Sequence, residues 1–204
     1  MLEVVCHDRS DVVCLQELPV WGLAHLEEWS GMQAFPVVAR TPRVPGSLGR
    51  LLTRLHHGFF RSAFVGQANA ILVPRTLDAR DLGSKQISDI GFERRVVQAV
   101  RVDERLVVAN FHASTDLVAA RTEFDRARAF AEELARPGEA VVLAGDFNLV
   151  SPQVAGYSAP TSGIDHVLVR GAETSEPLVW PPEQRELSGR HLSDHAPVEV
   201  TIGT

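Results

Sequence analysis

Residues 140–150 read AVVLAGDFNLV. The opening five, Ala140-Val141-Val142-Leu143-Ala144, form an apolar run that suits a strand buried on both faces and is too short for a helix. Gly145 breaks the run, and Asp146, Phe147 and Asn148 follow where the strand should end. Alternate residues of a strand share a face, so Asp146 and Asn148 can converge on one ligand from a rigid support. The plainer reading of these eleven residues alone is an Asx-rich turn after a strand, a common arrangement.

Other strand ends carry the same chemistry. DVVCLQEL (11–18) is an apolar run that ends in Gln16-Glu17, and LVVANFHAS (106–114) places Asn110 and His112 two residues apart at its end. GIDHVLV (163–169) sets Asp165 and His166 at the start of a short run, and GRHLSDHAPV (189–198) sets Asp194 and His195 before Pro197 and a final strand, 198–202. Carboxylates, imidazoles and carboxamides therefore recur at the edges of several expected strands. A folded sheet brings such edges together, and the set has the composition of a divalent-metal and general acid/base site.

Glu17 within CLQE, Asn110 and His112 within NFHAS, GDFN at 145–148, IDHVLV at 164–169 and SDHAPV at 193–198 resemble, in order, the signatures of the endonuclease/exonuclease/phosphatase superfamily. These are the DNase I-like, magnesium-dependent phosphoesterases. The resemblance runs from near residue 10 to the C-terminus. It implies a four-layer α/β/β/α sandwich, two mixed sheets face to face with helices outside, and an active site at one edge of the sandwich. It also implies roles. Glu17 and Asp194 match residues at the metal, Mg2+ or Mn2+. His195 matches the catalytic histidine and Asp165 the aspartate that holds it. Asp146 matches the residue that activates water or protonates the leaving group. Asn148 matches one that orients a phosphoryl oxygen, and His112 one that contacts the phosphate, with Asn110 beside it on the same strand face. His166 should point to the opposite face of its strand and is left out of the site. Members of the superfamily begin with a strand that ends in asparagine. No such strand precedes Asp11, so the fold is expected to lack it, through a late start, a truncation or a variant architecture.

Composition sets the bounds. The chain has 204 residues, 45% of them hydrophobic and 23% charged. That suits a single globular domain, 1–204, with a sizeable core. No stretch is long and apolar enough to span a bilayer, and residues 1–11 show no secretory pattern, so a cytoplasmic location is expected. Cys6 and Cys14 both lie in apolar patterns, as buried thiols would. The formal net charge of −6 argues mildly against broad nucleic-acid affinity.

Along the chain, residues 1–10 have helix-like spacing, and Trp21–Trp29 suits one or two helical turns. Residues 35–39 and 67–73 read as strands. Residues 95–102 and 105–111 alternate and are joined by Asp103-Glu104, a hairpin pattern. Residues 116–136 are the clearest helix: Leu117, Ala120, Phe124, Ala127, Ala131 and Leu134 line one face. Ser114 or Thr115 is available as its cap, and Pro137-Gly138 ends it. Many strands and few helices give a layered α+β fold.

Residues 29–77 contain no acidic residue but hold Arg40, Arg43, Arg50, Arg54, Arg61 and Arg75. Leu48, Leu51, Leu52, Leu55 and Phe59 follow helical spacing, with Arg50, Arg54, His57 and Arg61 on the other side. A solvated surface helix explains this as well as a substrate-binding role for Arg50, Arg54 and Arg61 or a peripheral contact of 48–61 with an anionic surface. The expected activity is hydrolysis of a phosphodiester or phosphomonoester by metal-assisted water attack. The substrate could be nucleic acid, a lipid headgroup or a small molecule. The alternative is a catalytically impaired member that binds a phosphate ligand or a protein partner.

Overall fold

The computed structural model describes residues 6, 11–49, 64–89, 93–187, 190–191 and 193–203. Two sheets face each other. The smaller contains β1 (Val13–Leu18), β2 (Gln33–Arg40) and β3 (Gln67–Val73) in the order β1-β3-β2, antiparallel throughout among the described residues. The larger contains β4 (Ala79–Gln86), β5 (Val96–Val102), β6 (Leu106–His112), β7 (Ala140–Asp146) and β8 (Asp165–Arg170), in sequence order. It is mixed: β6 and β7 run parallel and every other pair is antiparallel. The parallel pair is joined by helix α2 (Leu117–Leu134), because a parallel connection needs a crossover. A 3-10 turn (Val20–His25) and helix α1 (Leu26–Ser30) lie on the far side of the small sheet. Four short strands follow β8: β9 (Leu178–Val179) pairs with β12 (Val198–Glu199), and β10 (Glu186–Leu187) with β11 (Arg190–His191).

The pleat divides the apolar residues into three layers. Between the sheets, Ile71 and Val73 meet Val100, Val102, Val108, Val142 and Val169. Under α2, the opposite face of the large sheet contributes Val97, Ala99, Val107, Ala109, Phe111, Val141 and Leu143 to Ala120, Phe124, Ala127 and Ala131. Outside the small sheet, Val13, Leu15, Ala70 and Leu72 pack with Leu26 and Met32. This is the expected α/β/β/α order. Strands β3 and β5 are buried on both faces along their whole length, so their polar residues Gln67, Asn69, Gln98 and Arg101 are buried with them.

Several local expectations change. The cap of α2 is Asp116, whose side chain accepts from the backbone N–H groups of Val118 and Ala119. A carboxylate that reaches two free N–H groups displaces Ser114 and Thr115 from that role. Leu117 is exposed at the first turn and does not join the buried face. Asp103 and Glu104 both adopt positive φ (49° and 51°), the conformation of a tight hairpin turn. Strand β4 has no sequence signature because it is an exposed edge. The segment expected to present Arg50, Arg54 and Arg61, like most of residues 1–10, lies outside the described residues. Among the described residues no helix is long and apolar enough to cross a membrane. Both cysteines are free, and burial pushes the Cys14 thiol up to about 12.

At the end of the sandwich where α2 terminates, Arg101 is buried with Glu139. Its Nε donates to Glu139 Oε1 at 2.7 Å, and one Nη donates to the Leu134 carbonyl at 2.8 Å. Both side chains are 5% exposed. Glu139→Ala leaves this guanidinium buried without its carboxylate and is expected to lower stability by about 3 kcal/mol. Urea unfolding measures it, and an unchanged midpoint would contradict the role.

Candidate active site

The layer between the sheets is apolar at one end and polar at the other. Inward-facing positions run from Ile71, Val73, Val108 and Val142 to Gln67, Asn69, Gln98, Asn110, His112 and Asp146, all buried. Register places three functional groups in a row, since His112 pairs with Asp146 across the parallel ladder and Asp146 pairs with Asp165 across the next. Directly opposite residues on one face lie close enough for their side chains to interact. His112 Nε2 is 3.4 Å from Asp146 Oδ2. His195 comes from the loop before β12 and closes the row: its Nδ1 lies 2.9 Å from Asp165 Oδ2 and 3.9 Å from Asp146 Oδ2.

Glu17 reaches the row from the small sheet. The β1–β3 register shifts between Leu15 and Leu18, and Glu17 has φ 57°. A bulge with a left-handed residue turns the side chain away from the pleat direction, a recurrent feature beside functional sites. Gln67 Nε2 then holds Glu17 Oε1 at 2.8 Å, and His112 Nδ1 lies 3.8 Å from the same oxygen. The Glu17 side chain remains 64% exposed.

Asn148 does not continue the strand. It has φ 50°, and its N–H donates to Asp146 Oδ1 at 3.0 Å. The two residues therefore come together through an Asx turn, the plainer of the two readings of GDFN, and the turn itself orients the carboxylate. Asn148 Nδ2 donates to the Ala113 carbonyl at 2.9 Å, fixing the turn to the end of β6. Asn110 is fully buried beneath the site. Its Nδ2 donates to the carbonyls of Leu15 and Ala70, and its Oδ1 accepts from Gln16. These three bonds make it a tie between the sheets instead of a group that faces the reacting centre. Asp194 is exposed in the turn that carries His195.

His166 points away from the site, as expected of the residue after Asp165. Its Nε2 is 2.8 Å from the Leu149 carbonyl, and its Nδ1 accepts from the Thr161 N–H at 3.1 Å. It ties together the two ends of the loop that follows the Asx turn.

The electrostatics separate the titratable groups. Burial pushes Asp146 up to about 6, against the hydrogen bond from Asn148, and the nearby Asp165 charge adds to the rise. The hydrogen bond to Asp165 lifts His195 to about 9. Burial, aided by the positive charges of Arg95 and His195, pushes His112 down to about 3. His112 is therefore neutral at pH 7, and its approach to Asp146 is a long hydrogen-bonding contact, not an ion pair. Its Nδ1 is buried with no hydrogen-bond partner among the described residues. Held by Asp165, His195 carries its proton at pH 7. The two histidines, alike in free solution, are thus held in opposite protonation states at pH 7 by their surroundings.

Sequence reading missed Gln67 and Arg95. Each had a signal: a carboxamide or guanidinium at the end of a buried strand is out of place unless it is paired.

The layer order defines a DNase I-like sandwich with a polar edge at the strand ends. The sequence model of the Endonuclease/Exonuclease/phosphatase family matches residues 4–195, and the chain belongs to that family. A search of curated proteins finds no match. Similar solved structures include a mannosyl-6-phosphatase from Bacteroides thetaiotaomicron, 16% identical over 100% of this chain and 89% of that one, with a TM-score of 0.67. Truncated TDP2 from Caenorhabditis elegans is 15% identical over 100% of this chain and 90% of that one, TM-score 0.67. A functionally unknown conserved protein from Enterococcus faecalis is 16% identical over 99% of this chain and 90% of that one, also at 0.67. At these identities the likeness is one of fold.

Proposed function

We propose that this chain is a divalent-metal-dependent phosphoesterase that directs water at the phosphorus of a phosphodiester or phosphomonoester. The row His112–Asp146–Asp165–His195 at one sheet edge carries this reading. Asp146, raised to about 6, is ionised at pH 7 yet basic enough to take a proton from water. His195, protonated and held by Asp165, offers Nε2, the nitrogen Asp165 does not engage, to a phosphoryl or leaving oxygen. Neutral His112 and the Asn148 carboxamide orient phosphoryl oxygens around Asp146. Nucleic acid, a lipid headgroup or a small phosphate ester remain alternative substrates.

The residues present fit a hard cation. Asp146, Asp165 and His195 each offer a ligand atom, all within 4.8 Å of one another. Glu17 adds an exposed carboxylate held in place by Gln67. Oxygen donors in this number suit Mg2+ or Mn2+. We assign the cation to Glu17, with Asp194 from the turn that carries His195, and keep the three-residue cluster for the acid/base work. When bound, the metal would neutralise charge on the phosphoryl oxygens.

The test is hydrolysis with Mg2+ or Mn2+ and its loss in EDTA. Removing the ligand charge by Glu17→Gln is expected to raise the Mg2+ concentration for half-maximal rate about 10–100-fold. A rate untouched by EDTA would overturn metal dependence, and an unchanged Mg2+ requirement in the variant would overturn the role of Glu17.

A further inference from the structure

Arg95 is a buried guanidinium without full compensation. Its side chain is 6% exposed, and among the described residues its buried Nε has no hydrogen-bond partner. Among the described residues its anionic partner is Glu93, 46% exposed on the rim, whose Oε2 accepts from Arg95 Nη2 at 2.8 Å. The other oxygen of the same carboxylate accepts from Arg40 Nη2 at 3.4 Å. Two guanidinium groups from different sheets therefore share one side-chain carboxylate, an oxygen each.

This bridge stands at the mouth of the site. Arg40 pairs in register with Gln67, the residue that holds Glu17. Arg95 precedes β5, and its charge depresses the titration of both His112 and Asp146. A buried cation normally demands a well-bonded counter-ion. Here the counter-ion is a half-exposed glutamate at the surface, two residues away in sequence. A phosphoryl group also presents two adjacent oxygens and, as a monoester, carries more charge than a carboxylate.

We infer that Arg40 and Arg95 form an anion clamp for the substrate's terminal phosphate, with Glu93 as a resident counter-ion that the phosphate displaces. The inference rests on the phosphoesterase reading and narrows it. Two cations favour a phosphomonoester dianion over a diester monoanion. Glu93 sets the threshold: anions that compete poorly with a carboxylate stay out.

Binding of inorganic phosphate to the purified chain, followed by calorimetry, tests the clamp without requiring turnover. Removing the resident carboxylate by Glu93→Gln is expected to tighten phosphate binding about tenfold, and Arg40→Gln to weaken it by a similar factor. Arg95→Lys keeps the charge but loses the forked geometry, so it is expected to weaken binding too. Asp89→Asn is the control. Asp89 is 83% exposed and paired with Arg126, so its loss changes local charge without touching the bridge. Equal tightening in Asp89→Asn and Glu93→Gln would reduce the effect to general electrostatics and overturn the clamp, as would unchanged binding in Arg40→Gln. Phosphate binding that follows the clamp in a chain with no turnover would keep the clamp and sink the enzyme. Turnover that ignores Arg40 and Glu93 would do the reverse.

Discussion

Asp146→Asn is expected to lower turnover of a phosphate ester by about 10³-fold or more while leaving the protein folded. The asparagine is nearly isosteric. Its Oδ1 can still accept the Asn148 N–H that shapes the turn, so the site geometry survives and only the charge and basicity go. Stability is expected to hold or rise. Asp146 is 6% exposed, and burial raises its folded-state pKa to about 6 from an ordinary 3.8. A raised carboxylate favours the folded state fully below the ordinary value and loses that contribution as pH rises through 6. At pH 7 the ionised group is thus a burden that asparagine removes, a common trade at working sites. The wild-type rate should also fall as pH drops below about 6, where the base becomes protonated, and any residual rate in the variant should lack that limb. Thermal melts with pH–rate profiles of both proteins check this. A variant that unfolds, or that keeps the wild-type rate, contradicts it.

Gly145→Ala is expected to cost more than 4 kcal/mol, enough to unfold a protein of ordinary stability. Gly145 lies within β7 at φ +139°, a conformation that L side chains rarely adopt. A Cβ there would sit 1.9 Å from the Phe111 carbonyl oxygen of the adjacent strand. That oxygen is backbone in a buried ladder, paired in register with Gly145 itself, and has nowhere to move. The strain lies one residue before Asp146 and beside His112, so any chain that did fold would hold the row out of line. Chemical denaturation of the variant reads the effect. A midpoint near the wild type would show that the strand relaxes where the packing says it cannot.

These two residues illustrate what the sequence discloses. Gly145 reads simply as a break in an apolar run. Its necessity depends on Phe111, 34 positions away, and only the folded parallel ladder reveals it. Asp146, His112, Asp165 and His195 are legible because each sits at a strand end with a short polar neighbour, and ordered motifs link them. Their mutual placement is a matter of register, which no single strand encodes. Asn110 shows the limit from the other side. It shares a strand face with His112, as expected, but two backbone carbonyls of the small sheet claim its amide. Gln67 and Arg95 escaped notice because their partners, Glu17 and Glu93, lie 50 residues away in one case and on an irregular rim in the other. The long apolar runs were legible because burial on both faces leaves no alternation to misread. Strand β4, exposed and at the edge, left no pattern at all.

The central claim is that the row from His112 to His195 hydrolyses phosphate esters. The direct measurement is release of p-nitrophenol from bis-p-nitrophenyl phosphate and p-nitrophenyl phosphate by the purified chain with Mg2+ or Mn2+, beside Asp146→Asn prepared identically. The account predicts turnover that disappears with EDTA and with the substitution, faster on the monoester if the Arg40–Arg95 clamp is correct. Turnover of either ester that persists undiminished in a folded Asp146→Asn protein would contradict the assignment of this site.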